Sequence, residues 1–261
     1  MGSHPNYQGQ SPLVTEAKQR GLSAAFAINL NIFQKKYSGK PYAKYMHFDL
    51  NCGCGVNAEV GCIGSPIAFM NQANAIGIER LSAHFVDSNG DAIRMLMEEN
   101  AIKTDKRAFT HHGDNEPFCS AIPYIVDAMG ERKEYAIGSV LSDPNGTKVP
   151  FKELAALAEQ CPRLDIMINV SATSFKRNFQ YSNVRLDDQI ASIDKKFWLV
   201  REPIGPWQWT IFIGRNTFIG EHKALGFYDM DSPKGRSIVE RLTYTAKEIS
   251  ESMDLLQPML C

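Results

Sequence analysis

A chain of 261 residues is long enough to bury a sizeable core, and 44% apolar against 22% charged residues is the balance of a globular protein. The formal net charge of -1 excludes a global basic field of the kind that draws a protein onto nucleic acid, although not a local patch. Six cysteines are too sparse for a disulfide-stapled scaffold, and no leader-like or bilayer-length apolar run is present. The chain therefore reads as cytoplasmic, off the membrane, with reduced thiols.

Residues 1–11 are polar and read as a flexible terminus, and residues 12–261 as a single domain opened by a helical lead over 12–37. From about residue 42 short apolar runs alternate with amphipathic stretches. "YAKYMHFDL" is strand-like and ends at a glycine loop, and "GSPIAFMNQANAIG" reads as a helix. "LSAHFVDSN" is a second strand, followed by the helical "GDAIRMLMEENAIK" with Ile93, Leu96 and Met97 at helical spacing. "KRAFTHHGDN" is a third strand, and "EPFCSAIPYIVDAMG" a helix despite Pro123. "EYAIGSVLSDPNG" is a fourth strand, then "PFKELAALAEQC" a helix with Pro150 at its start, then "RLDIMINVSATS" a fifth strand. "WQWTIFIGRN" reads as a later β segment and "SPKGRSIVERLTYTAKEISESMDLL" as a closing helix. This alternation predicts an α/β fold with a doubly wound, mostly parallel sheet covered on both faces.

Such a sheet binds its ligand beyond the carboxyl ends of the strands, near the point where the strand order reverses. The residues there are Asp49–Gly55, Asp87–Asn89, Asp114 and Asn115, Asp143–Gly146 and Ser171–Ser174. Gly53 and Gly55 suit a tight turn or a close approach to a ligand. The third position of a dinucleotide fingerprint is Ala58, but the next helix starts only at Gly64-Ser65-Pro66, which argues against that fingerprint. Asp87 either grips ribose hydroxyls or caps a helix, and Asp114 either bonds an adenine amino group or does the same. "DPNG" is a good β-turn; at a fourth strand end it also resembles the D-P-P-Y signature of enzymes that methylate exocyclic amino groups. Cys52, Cys54 and Cys62 lack the paired C-x-x-C geometry of a tetrahedral zinc site, and His111 and His112 fall on opposite faces of a strand, so no metal site is expected.

Together, "DLNCGCG", "GSPIAFM", "FVDSN" and "SDPNG" resemble the three-Cys-motif partner proteins, a family of Rossmann-fold S-adenosylmethionine-dependent methyltransferases; the resemblance spans roughly residues 45 to 220. It implies that Asp49, Asn51, Gly53 and Gly55 surround the methionine moiety, that Asp87 takes the ribose and Asp114 the adenine. It further implies that Asp143, Pro144, Asn145 and Gly146 form the methyl-acceptor site. The chain departs from the family pattern at Asn51, Cys52 and Cys54, and has Gly146 where D-P-P-Y has the aromatic that stacks on a flipped base.

The expected acceptor is an exocyclic amino group of a nucleic-acid base, adenine N6 in DNA foremost. Phosphate contacts are then expected from Lys176, Arg177 and Arg185 in the aromatic-rich loop "SFKRNFQYSNVR", with Trp207 and Trp209 as a stacking surface or as strand packing. The alternatives are a methyltransferase for a small molecule or protein side chain, and a non-catalytic cofactor-binding partner in a complex or homo-oligomer.

Overall fold

The computed structural model describes residues 12–37, 39–57, 61–144, 148–205 and 208–256. Expectations for residues 1–11 and for Ala58, Asn145, Gly146 and Trp207 lie outside the described residues. Eight strands form one sheet: β1 (Tyr45–Asp49), β2 (Leu81–Asp87), β3 (Ala108–His112), β4 (Ile137–Ser142), β5 (Leu164–Ser171), β6 (Phe197–Arg201), β7 (Trp209–Arg215) and β8 (Phe227–Asp229). Their order is β8-β6-β7-β5-β4-β1-β2-β3. The five strands from β3 to β5 pair in parallel, and β7, β6 and β8 add three antiparallel pairings at one edge. The order reverses between β1 and β4, which fixes the switch point at the loops after those strands.

Strand side chains alternate between faces, and here both faces are apolar. Met46 and Phe48 enter one core; Tyr45 enters the other, where His47 stacks on Phe69. In β5, Ile166 and Ile168 face away from Met167, and in β7, Phe212 faces away from Ile211 and Ile213. One face is covered by α1 (Pro12–Tyr37), α2 (Ser65–Ile76), α3 (Gly90–Glu98) and the single turn α4 (Asn100–Lys103). The other is covered by α5 (Asn115–Ala128), α6 (Phe151–Gln160), α7 (Ala172–Ser182), α8 (Leu186–Ala191) and α9 (Pro233–Thr243). A last helix, α10 (Ala246–Leu256), follows.

Three expected elements change. The helix expected over 90–103 breaks at Glu99, whose backbone is extended. Leu96 and Ile102 would lie about 120° apart on a continuous helix, and the break lets both reach the core. The closing helix divides at Tyr244, because Thr245 and Glu248 form a capping box that starts α10: the Glu248 amide donates to Thr245 Oγ1 (3.3 Å) and the Thr245 amide to Glu248 Oε2 (2.7 Å). The segment "SFKRNFQYS", expected as a loop, is α7, capped at its start by Ser171 and ended by Asn183 in the left-handed region. Strands β6 and β8 are not singled out by the sequence pattern.

Candidate functional site at the carboxyl edge of the sheet

The glycine loop begins where β1 ends. Gly53 (φ 64°) and Gly55 (φ 81°) hold backbone angles that side chains with a Cβ rarely adopt. At Gly55 there is also no room, since a Cβ would lie 2.7 Å from Leu96 Cδ1. A two-residue ladder joins Val56–Asn57 to Cys62–Ile63, and the chain returns so that the Gly64 amide donates to the Gly55 carbonyl at 2.5 Å. Only then does α2 start, with Pro66 in its first turn. The delayed helix start expected from Gly64-Ser65-Pro66 is what the backbone does.

Asp49 lies fully buried beneath this loop. Ser65 donates to its Oδ2 (2.6 Å) and the Asn51 amide to its Oδ1 (3.1 Å), tying β1, the loop and α2 together. Burial pushes its carboxyl up to about 7; the two donors oppose that shift, while the charges of Asp143 and Asp87 add to it.

Asp87 closes the loop from the next strand. Its Oδ2 accepts from the Gly53 amide (2.9 Å) and its Oδ1 from the Asn89 amide (2.8 Å). The capping role weighed for Asp87 falls instead to Asn89, whose side chain receives the Asp91 and Ala92 amides of α3. Asp114 stands at the start of α5, exposed and without a capping hydrogen bond.

At the end of β4, Asp143 Oδ1 meets Lys18 Nζ at 2.9 Å and Asn169 Nδ2 at 2.8 Å. Burial raises the Asp143 carboxyl above the usual range, against the opposing pull of Lys18 and Asn169. Lys18 reaches down from α1, and its ammonium also sits 4.4 Å from the centroid of a Trp209 ring.

These segments converge on one cavity of about 610 Å³ at the switch point, a volume suited to a cofactor-sized molecule. Asn51, Gly53, Gly55, Asp87, Asp114, Asp143 and Pro144 all line it, with Asp49 just beneath. Asp87, Asp114, Glu116 and Asp143 line it together with Lys18 and Lys148, an acidic excess that suits a cationic ligand. Asn51 Oδ1 and Gln19 Oε1 are buried, lack a hydrogen-bond partner and belong to lining residues. A buried acceptor left unpaired costs about 1–3 kcal/mol, so a ligand that brings N–H donors fits both. Cys52 and Cys54 are buried in the loop, their thiols donating to the Gly53 and Val56 carbonyls.

Lys176, Arg177 and Arg185 lie away from this cavity. Lys176 donates to Gln208 Oε1 (2.9 Å) and to the Arg241 carbonyl. Arg185 pairs with Glu248 (2.8 Å) and stacks on Phe179 and Tyr244, while Arg177 is exposed on α7. Lys18, Gln19 and Asn169 are the site residues that sequence reasoning misses. No local motif marks them; they arrive through the docking of α1 and the register of β4 with β5.

No protein-family model matches the chain, and no curated protein matches it in sequence. Solved structures share its fold, two of which illustrate the likeness. The protein LPL1258 from Legionella pneumophila superposes with a TM-score of 0.55 at 11% identity, covering 90% of this chain and 92% of its own. A probable spermidine synthase from Corynebacterium glutamicum superposes with a TM-score of 0.53 at 11% identity, covering 87% and 79%. Strand order, switch point and these likenesses together give the chain a doubly wound, Rossmann-like fold.

Proposed function

We propose that this chain is an S-adenosylmethionine-dependent methyltransferase whose acceptor is an amino nitrogen. The observation that carries the reading is the convergence of the glycine loop, Asp87, Asp114 and Asp143 on one acidic cavity at the switch point. In this reading Gly53 and Gly55 let the backbone approach the cofactor, Asn51 and Gln19 receive its ammonium, Asp87 takes the ribose and Asp114 the adenine. Bound there, the cofactor supplies a methyl group already activated by a cationic sulfur, so the chain needs chiefly to position the acceptor. Asp143 accepts an N–H of the incoming amine, keeps its lone pair aimed at the loop, and takes the proton that the nitrogen sheds.

The first acceptor to consider is an exocyclic amino group of a base, adenine N6 in DNA, as the sequence "DPNG" suggests. One observation favours a second acceptor, an aliphatic amine of a small molecule or protein. The Asp143 carboxylate and the Trp209 ring already hold an alkylammonium, that of Lys18. Transfer of labelled methyl to DNA, RNA, polyamines and lysine-containing peptides distinguishes them. Label in DNA or RNA alone supports the base, label in the amines alone supports the second reading, and label in none refutes methyl transfer to nitrogen.

A further inference from the structure

We propose that the opposite, amino edge of the sheet carries a second binding site, for a nucleotide unit: a planar base with its phosphate. This site stands independently of the methyl-transfer reading.

A cavity of about 730 Å³ opens there, between the last turns of α1, the link into β1, the connection from α5 to β4, and the far end of β7. Its wall gathers Lys36, Lys40, Lys44, Arg132 and Arg163. Against them stand Glu131, and Asp165, which is committed to Arg215. In a chain of net charge -1, this is a local concentration of positive charge of the kind that recruits phosphates. Lys36, Lys40, Arg132 and Arg163 are exposed; of these, Arg132 also reaches Glu134 at 3.6 Å.

Arg215 makes the site a built one. It is 3% exposed, lines the cavity, and uses Nη2 on Asn29 Oδ1 (2.9 Å) and on Asp165. Its Nε and Nη1 have no partner. Buried guanidinium donors are costly to leave unsatisfied, and a planar fork of this kind matches phosphate oxygens.

Aromatic rings share the wall with these cations. Tyr42 is 69% exposed and Tyr135 51% exposed, so both ring faces are within reach of a ligand on this wall. The guanidinium carbons of Arg132 and Arg163 each lie 4.9 Å from the Tyr135 ring, and Lys36 and Lys40 sit over Tyr37. Rings interleaved with cations are the arrangement that stacks a base while neutralising its phosphate. An acidic peptide would use the charges but not the ring faces set among them.

The test uses the full chain, with ATP, inorganic pyrophosphate, an acidic peptide and a single-stranded oligonucleotide of about ten residues as probes. Binding is followed by calorimetry and fluorescence anisotropy. The proposal predicts that ATP or the oligonucleotide binds and that K40A/R132A/R163A weakens it at least about tenfold, flattening the oligonucleotide's salt dependence by about 2 in slope. Y42A should weaken ATP about tenfold and leave pyrophosphate unaffected. All four substitutions fall on exposed residues, and unchanged melting confirms the fold. Tight binding of the oligonucleotide alone identifies nucleic acid as the source of the nucleotide unit; comparable binding of ATP identifies a free nucleotide. Absence of binding by both, wild-type affinity in the triple variant, or equal affinity for pyrophosphate or the acidic peptide overturns the proposal.

Discussion

Lys18 Nζ lies 2.9 Å from Asp143 Oδ1, joining the N-terminal helix to the end of the fourth strand across 125 residues of sequence. Both side chains are nearly buried, at 11% and 7% exposure. The pair makes α1 part of the site: it delivers a counter-charge that opposes the upward push of burial on the Asp143 carboxyl.

K18M should therefore raise the Asp143 pKa further, because Lys18 is the main influence that lowers it. The acid limb of the methyl-transfer pH–rate profile should move upward with it. Removing one partner of a buried pair should also cost on the order of 3 kcal/mol of stability. An unmoved acid limb in a folded K18M protein would exclude Asp143 as the titrating group.

D143N should abolish methyl transfer while leaving cofactor affinity within about threefold, since Asp143 is placed at the acceptor end (about 0.65 kcal/mol). Calorimetry and a radiolabel assay read the two quantities separately. Equal loss of both would remove the acceptor assignment.

Asp49 sets a pH dependence whose sign follows from its raised pKa. A carboxyl held near 7 in the folded state, against an ordinary value of about 4 unfolded, stabilises the fold fully below the unfolded value. That contribution is lost as pH rises through 7. The stability of the wild type minus that of D49N should thus fall between pH 5 and pH 8, as read by urea denaturation. A difference that stays flat over this interval would show that Asp49 is ionised in the folded protein throughout.

G55A forces a Cβ onto a backbone at φ 81° and against the tip of Leu96. The left-handed angle costs roughly 1–2 kcal/mol, and Leu96 can shift at its flexible end. Melting should fall by about 3–6 °C, and cofactor affinity should fall with it as the loop moves. Unchanged melting would mean that the loop relaxes freely to another conformation.

The parallel part of the sheet is legible because its strands are largely apolar on both faces and several of the intervening helices carry a 3.6-residue period, so the order of β1 to β5 and their ends can be read directly. Strand ends in turn located Asp49, Asp87, Asp114 and Asp143, because a parallel sheet brings all its carboxyl ends to one edge. What could not be read depends on tertiary docking. Nothing near Lys18 in sequence predicts that α1 lays it over Asp143, and nothing near Arg163 or Arg132 predicts that they meet Tyr135. Two errors did have signals. Thr245 and Glu248 spell a capping box, and Ser171 with Asn183 brackets a helix where the basic-aromatic composition suggested a loop. On that helix Lys176 meets Gln208, and Arg185, at the start of α8, pairs with Glu248.

Calorimetric titration with S-adenosylmethionine, on the wild type and on D87A, tests the central claim most directly. Asp87 holds the Gly53 amide and lines the cavity, so the account predicts one-to-one binding that D87A weakens at least about tenfold, or about 1.4 kcal/mol. No binding by the folded wild type, or binding that D87A leaves intact, would contradict it.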